Sequence, residues 1–395
     1  MRPPINLYGF TSEVIYPSSI FSLERHENLP YERFAYNVFR EAISALDKNT
    51  LPLKLAVEFL SSSEACPGWE VNCSVRAEKS SSGNFDRIVI QSPELLPTLL
   101  LMFSVCIGRH LFSEEGRVLC LKDPNLLTAH IQRFFDSASS VVRAYRTQGL
   151  ASAIRTGYEF LGINFSIVDK SIDCFDSLSY LIANHEVAHI HVGQFSVGFG
   201  NSKEVSKAFE IIADLVASEW LFRRYIYFTP DTEAYRLNRH FSSHAEAVWS
   251  NAKWAIDTQL ALLILMGVSG AQASGGRFHF DGGMRHPGSF GRYWLQQAWL
   301  FAAIDGYFRK LLGDEAYQRL MTIWKEYFDI LCGSGLVSRR ALLQVVDDED
   351  VQIISRVADL VESRKIEELR PGVEFLRSRQ KDAEAMRSRM LSIED

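Results

Sequence analysis

The chain has 395 residues, of which 47% are hydrophobic and 23% charged, with a formal net charge of −6 and an isoelectric point near 6.0. This length supplies ample core for one large domain or two, and the composition is that of an ordinary globular protein. The acidic balance, without a basic stripe, a P-loop or a GxGxxG motif, argues against a nucleic-acid-binding surface. We therefore expect no nucleic acid among its partners.

The first 17 residues, MRPPINLYGFTSEVIYP, lack the apolar core of a signal peptide after their single arginine. The longest apolar runs, residues 95–108 and 260–268, are too short to span a bilayer. Six scattered cysteines match no metal-binding spacing and predict reduced thiols, with a Cys66–Cys73 bridge as the alternative. We expect a cytoplasmic protein with no membrane span.

The N-terminal region, residues 1–120, predicts a small sheet. Residues 1–30 contain four prolines and read as irregular, and residues 31–45 predict an amphipathic helix. Strand-like runs follow at 53–59, 69–77 and 87–90, separated by segments rich in turn residues. Short strands joined in this way indicate an antiparallel sheet.

Helices are predicted next in the chain. Residues 93–112 read as a buried helix, 125–146 as an amphipathic one and 151–162 as a short third. A further helix is expected to begin near Asp173 or Asp176, since either side chain can cap an N-terminus. Gly193 is placed to end it.

This helix contains His185-Glu186-Val187-Ala188-His189, an HExxH pattern. Residues four apart lie one turn apart on the same helix face, so His185 and His189 can direct imidazole nitrogens at one metal ion. Glu186 lies beside that pair, where it can take a proton from a metal-bound water without being a ligand. The apolar residues around the histidines favour a built site over a surface helix.

A zinc site needs a third protein ligand. The HExxHxxGxxH pattern fails here, because the glycine is one place late and Phe195 stands where the third histidine would be. His191 faces away from His189, since two residues turn a helix by about 200°. The next predicted helix, residues 203–225, carries Glu210 and Asp214 on one face of an apolar stretch. Buried carboxylates need a reason, and a metal supplies one.

The rest of the chain is predicted to be helical. A loop at 229–239 precedes a long helix at 244–266, and a glycine-rich segment at 267–291 is either a gating element or an ordinary loop. Aromatic helices at 290–312 and 314–332 indicate core. The charged tail, 346–395, reads as two helices broken at Pro371-Gly372, which are either a solvated arm or a contact with an activator or a second copy.

HExxH followed by ExxAD on the next helix resembles the gluzincin metallopeptidases. The resemblance implies Zn²⁺ held by His185, His189 and Glu210, with Asp214 orienting His185. The segment His286-Pro287-Gly288-Ser289-Phe290-Gly291-Arg292 looks like the HPxxxxR segment of several intracellular gluzincin families. By that likeness His286 stabilises an oxyanion and Arg292 braces the site. HEVAHIHVGQ is also similar to the bacterial phage-exclusion (Lit-like) proteases.

The expected fold is mainly α (α+β): a zincin-like core with a small antiparallel sheet near the N-terminus and a helical C-terminal region. The expected division is a catalytic domain at 121–345 between the N-terminal region, 1–120, and the tail, 346–395. The expected function is zinc-dependent cleavage of an intracellular protein or peptide, triggered in phage defence. The alternative is an inactive or sensor protein whose structural zinc site supports binding of a protein partner.

Overall fold

A computed structural model describes residues 5–7, 10–45, 54–61, 73–79, 85–192, 203–227, 244–273, 309–336, 348–363 and 374. These residues are mostly helical and include one small sheet, which confirms the predicted mainly α class. The chain divides into two compact units, with boundaries at 191/192, 263/264 and 279/280. Neither predicted domain boundary, 120/121 or 345/346, coincides with one of these.

The first unit contains all the described strands and seven α-helices. The strands are β1 (Ile5–Leu7), β2 (Phe10–Ile15), β3 (Lys54–Leu60), β4 (Ser74–Lys79) and β5 (Phe85–Pro93). The helices are α1 (Arg25–Ala45), α2 (Leu96–Phe103), α3 (Arg109–Leu111), α4 (Glu114–Lys122), α5 (Asn125–Gln148), α6 (Leu150–Leu161) and α7 (Phe165–His191), with a 3-10 turn at Ser18–Ser22 and a π turn at Ser104–Gly108.

The sheet has the order β1-β2-β3-β5-β4 and is mixed. β2 pairs with β3 and β3 with β5 in parallel, whereas β1 and β4 are antiparallel to their neighbours. The prediction of an antiparallel sheet is therefore wrong. Helix α1 returns the chain so that β3 runs alongside β2, which a parallel pair requires. β1 and β2 lie in the proline-containing stretch that was predicted to be irregular.

The central strands β3 and β5 are buried on both faces. Leu55, Ala56 and Val57 in β3 are all buried, as are Ile88, Val89 and Ile90 in β5. Consecutive rather than alternating apolar residues are typical of strands covered on both sides. β4 pairs with β5 and is one of the two edge strands of the described sheet, the other being β1.

Helix α7 begins earlier than predicted. The Asn164 side-chain oxygen accepts a hydrogen bond from the backbone N–H of Ile167 at 3.1 Å, so Asn164, and not Asp173 or Asp176, caps the helix. Asp176 instead lies buried in the middle of α7. Arg33 donates from Nε to Asp176 Oδ1 at 3.0 Å and from a terminal nitrogen to Oδ2, and Asn37 donates to Oδ1 at 3.0 Å. These bonds fix α7 against α1.

The middle of α7 is buried on all its faces, since every residue from 174 to 184 is buried. α1, α2 and the π turn all pack against it. Gly108 in the π turn allows the closest approach, because a Cβ atom there would collide with the Sγ atom of Cys174 on α7. The helix that carries HExxH is thus a central element of the first unit.

The second unit contains α8 (Lys203–Tyr227), the first two thirds of α9 (His244–Ala273), α10 (Arg309–Gly333) and α11 (Asp348–Ser363). α8 packs against α11. On α9, Asp257 accepts hydrogen bonds from Lys253 at 2.5 Å and from Tyr327 of α10 at 2.6 Å. This buried network joins α9 to α10.

Of the predictions for the C-terminal part of the chain, one is confirmed and one is wrong in part. Gly313, with φ of 76°, interrupts α10, so its regular part begins at Asp314 as predicted. Residues 267–273 belong to α9, so the glycine-rich segment is helical where it begins and the loop prediction is wrong there. The remainder of that segment, most of 290–312 and the break at Pro371-Gly372 lie outside the described residues.

None of the described helices is by itself long and apolar enough to cross a membrane. One pair, Leu96–Leu111 with Glu114–Lys122, meets the requirement of length and composition when the two are combined, and it is bent by 73°.

The Arg33–Asp176 contact predicts a measurable coupling between α1 and α7. Arg33→Ala should lower the free energy of unfolding by about 1–3 kcal/mol, because it removes a charge-assisted pair from a mostly buried carboxylate. The double variant with Asp176→Ala should cost clearly less than the sum of the two single variants. Denaturant unfolding measures all three.

Arg76→Ala is the matched control. Arg76 pairs with Glu78 at 2.9 Å, but its side chain is 51% exposed, so the loss should be within about 1 kcal/mol. Additive costs for Arg33 and Asp176 would show that their contact does not stabilise the fold.

Candidate metal centre

The last turns of α7 bring the two HExxH histidines together. The Nε2 atoms of His185 and His189 lie 3.1 Å apart, and the two rings are nearly perpendicular, at 86°, with centroids separated by 4.6 Å. His189 is buried and His185 is half-buried. The predicted convergence of these two nitrogens, one helical turn apart, is therefore present.

This spacing fits a shared metal ion. Two imidazole nitrogens that each bind a tetrahedral zinc at about 2.0–2.1 Å lie about 3.3 Å apart. The observed distance also allows an N–H···N hydrogen bond, in which one ring donates and the other accepts. A cation satisfies both nitrogen lone pairs at once, whereas the hydrogen bond uses only one of them.

Glu186 lies on the buried side of the same turn and is only 6% exposed. Its negative charge interacts electrostatically with the thiol of Cys73, the residue just before edge strand β4. Burial raises the pKa of the Cys73 thiol well above its usual value, and the charge of Glu186 raises it further, while a hydrogen bond with Ser92 lowers it. The catalytic carboxylate predicted from the sequence thus lies beside the start of β4.

Helix α8 carries a row of polar side chains on one face. Lys207, Glu210, Asp214 and Ser218 follow each other at intervals of three or four residues, which places them along one side of the helix. Glu210 is half-buried, and the other three are buried. A single helix face therefore carries two carboxylates and an ammonium group, in a segment whose other faces are apolar.

Three residues form a donor set that could hold a metal ion. One ligand atom from each of His185, His189 and Glu210 lies within 4.8 Å of the other two. Among the residues that the structure describes, this is the one such group of three or more histidine, cysteine, aspartate or glutamate side chains. Two imidazoles and one carboxylate are ligands that zinc accepts. The three side chains predicted to bind metal are therefore grouped.

Lys207 and Cys73 were not predicted from the sequence to belong to the site. Lys207 is 7% exposed and lies three residues before Glu210, a helical spacing that marks it as a neighbour on the same face. Cys73 offered no such signal, because its proximity to Glu186 arises from the fold. Cys73 is buried with a free thiol, and Cys66, its alternative partner in a disulfide bridge, lies outside the described residues.

Asn184 adjoins His185 and is fully buried. Neither its amide oxygen nor its amide nitrogen has a hydrogen-bond partner within the described part of the chain. Burial of an unsatisfied amide costs about 1–3 kcal/mol, so this position is unfavourable for stability.

The remaining predicted site residues, His286 and Arg292, lie outside the described residues, as do Gly193 and Phe195. Their predicted roles therefore stay predictions.

Comparison of the chain with protein-family models, with curated proteins and with solved structures finds no match. The residues of the centre are thus the basis for the function proposed below.

The donor set predicts how metal content depends on individual side chains. The purified chain should bind about one zinc ion, and His189→Ala or His185→Ala should lose it, because two ligands alone hold zinc poorly. Glu210→Ala should weaken binding, and Asp214→Asn should weaken it by about 10–100-fold if Asp214 supports a ligand. Elemental analysis and competition with a chromogenic chelator measure these effects.

His191→Ala supplies the control on the same helix. His191 is exposed and lies on another face of α7, so its removal should leave the zinc content unchanged. Full zinc occupancy in His189→Ala would show that the metal is bound elsewhere.

Proposed function

We propose that this chain is a zinc-dependent endopeptidase of the gluzincin type. The grouping of His185, His189 and Glu210 carries the proposal, because it unites the HExxH pair with the carboxylate that the ExxAD pattern implies. The burial of Glu186 next to this group supports hydrolysis in particular. A purely structural metal site has no use for an additional buried carboxylate.

A zinc ion at this centre would supply a Lewis acid that lowers the pKa of a bound water and polarises a peptide carbonyl. The chain's own residues perform the proton transfers. Glu186 accepts a proton from the attacking water and passes it to the leaving amine as the carbon–nitrogen bond breaks. Its low exposure and its place next to His185 suit this role, because a carboxylate shielded from bulk water keeps the proton for the leaving group.

The polar face of α8 would position Glu210. Asp214 is the candidate that holds a zinc-binding histidine in the required tautomer, as the gluzincin resemblance implies. Lys207 is one helical turn before Glu210, so its ammonium group offsets part of the negative charge of the two acids on that face. We assign both residues to positioning rather than to contact with the substrate.

Edge strand β4 supports a protein or peptide as the substrate. An extended peptide can add to an exposed sheet edge through main-chain hydrogen bonds. β4 begins at Ser74, directly after Cys73, whose thiol is influenced by the charge of Glu186. A peptide paired with β4 would therefore run past the proposed proton acceptor.

The resemblance to phage-exclusion proteases extends the proposal. It favours a narrow intracellular protein substrate and an activity that is held back until a trigger arrives. His286 and Arg292 would complete the site as an oxyanion-stabilising residue and a brace. The C-terminal helices would provide the surface for an activator or a second copy.

The Glu186→Gln variant tests hydrolysis. Glutamine keeps the size and polarity of the side chain but cannot accept the water's proton, so cleavage should fall by at least about 10²-fold. The zinc content and the melting temperature should not fall. Cleavage is measured by mass spectrometry on a bacterial proteome, with and without phage infection, because a narrow substrate is expected.

Glu159→Gln, an exposed change on α6, is the control and should behave as the wild-type protein does. If wild-type protein and Glu186→Gln yield identical cleavage products and identical cellular protection, the peptidase proposal is wrong. The partner-binding alternative would then take its place.

His286→Ala tests the proposed oxyanion stabilisation. It should leave zinc content unchanged and reduce turnover by about 10²–10³-fold, since a donor to a developing charge acts mainly in the transition state. Turnover and metal content are measured on the same preparation. Unaltered turnover would remove His286 from the mechanism, and loss of zinc would make it a ligand or a support.

A further inference from the structure

A stacked histidine pair lies in the first unit, on elements other than the HExxH end of α7. The rings of His110 on α3 and His130 on α5 are almost parallel, at 8°, with centroids 4.4 Å apart. Both side chains are half-buried. Planar rings stacked in this way hold their nitrogens in two parallel planes, so the pair does not converge on one metal ion as His185 and His189 do.

Two arginines flank the pair. Arg109 is adjacent to His110 in sequence, and Arg133 is one helical turn from His130 on α5. Both arginines are exposed, and neither has an ion-pair or hydrogen-bond partner for its guanidinium group among the described residues. Four basic side chains are therefore collected on the surface of a chain whose net charge is −6.

The charges of the two arginines act on both histidines. The pKa of His110 is lowered by burial and then by the charges of Arg109 and Arg133. The pKa of His130 is lowered by burial, by His110 and by Arg133. The nearby acid on α5, Asp136, accepts a hydrogen bond from Gln132 instead. An anion bound between the arginines would offset their charge and favour the protonated form of the histidines.

The backbone around the cluster is fixed. The carbonyl of His110 accepts a hydrogen bond from Ser113 at 3.2 Å, and Ser113 in turn caps α4. The backbone of Gly116 lies so close to this carbonyl that any side chain at position 116 would collide with it. These contacts hold the backbone at His110 in place, which reduces the ordering cost of binding.

We propose that Arg109, His110, His130 and Arg133 form a binding site for a phosphate group. Guanidinium groups bind phosphate through paired hydrogen bonds, and a dianion with several acceptor oxygens can use two of them together with an imidazole donor. The ligand is a free phosphate or the phosphate moiety of a small molecule such as a nucleotide. This site is separate from the proposed zinc centre and does not depend on it.

The test uses the full-length protein and the imidazole resonances of His110 and His130, assigned with His110→Gln and His130→Gln. Pyrophosphate, inorganic phosphate and ATP are titrated in turn at constant ionic strength. Saturable shifts of these two histidines are expected, together with a rise in their pKa, because a bound dianion favours the protonated ring. The anion that saturates at the lowest concentration identifies the source of the phosphate.

Arg109→Gln and Arg133→Gln should each weaken binding by at least about tenfold, since each removes a charge-assisted pair of hydrogen bonds. Arg143→Gln is the matched control, because Arg143 is an exposed arginine on another face of α5 and should leave binding unchanged. Circular dichroism verifies that the variants fold. Shifts that do not saturate, that saturate at the same concentration in Arg133→Gln as in the wild-type protein, or that citrate reproduces equally would overturn the proposal.

Discussion

A buried carboxylate in the middle of α7 ties the N-terminal fold to the candidate metal centre. Asp176 is 8% exposed and depends on Arg33 and Asn37 of α1 for its hydrogen bonds. A buried charge without such partners would be strongly unfavourable, so the contact fixes the position of α7 along α1. Nine residues, or two and a half turns, separate Asp176 from His185 on the same helix. The position of the HExxH turn in the first unit is thereby determined.

The sequence predicted the helices better than the sheet, and the reason is physical. A helix can be predicted from the local periodicity of its apolar residues. The ends of α5, α6 and α8 were therefore predicted to within about two residues. The direction of strand pairing depends on the path of the chain between strands, which local patterns do not record. The start of α7 was misplaced for a related reason. Asp176 resembles a capping residue in sequence, but a partner from α1 allows it to lie inside the helix.

The candidate metal-binding group could be predicted from sequence because its residues lie on two helices. His185 and His189 are related by one helical turn, and Glu210 and Asp214 by another, so each pair is visible as a spacing. Lys207 has the same helical spacing from Glu210, but lysine is not a zinc ligand, so a ligand pattern does not indicate it. The link between Cys73 and Glu186 could not be predicted, since it joins residues that are more than a hundred positions apart in the chain.

A divalent cation at the proposed centre would offset the negative charge of its carboxylates. Glu186 and Asp214 are buried, Glu210 is half-buried, and Lys207 is the buried cation that the α8 face supplies. On α8, an ionised Lys207 would offset one of the two carboxylates, and on α7 Glu186 is shielded from bulk water, where a negative charge is costly. A dication bound by His185, His189 and Glu210, as we propose, would offset carboxylate charge and be shared by the two closely spaced imidazole nitrogens. Protonation of the carboxylates would remove the charge but leave those nitrogens without a common cation. The proposed metal ion would therefore serve both the nitrogen ligands and the buried carboxylates.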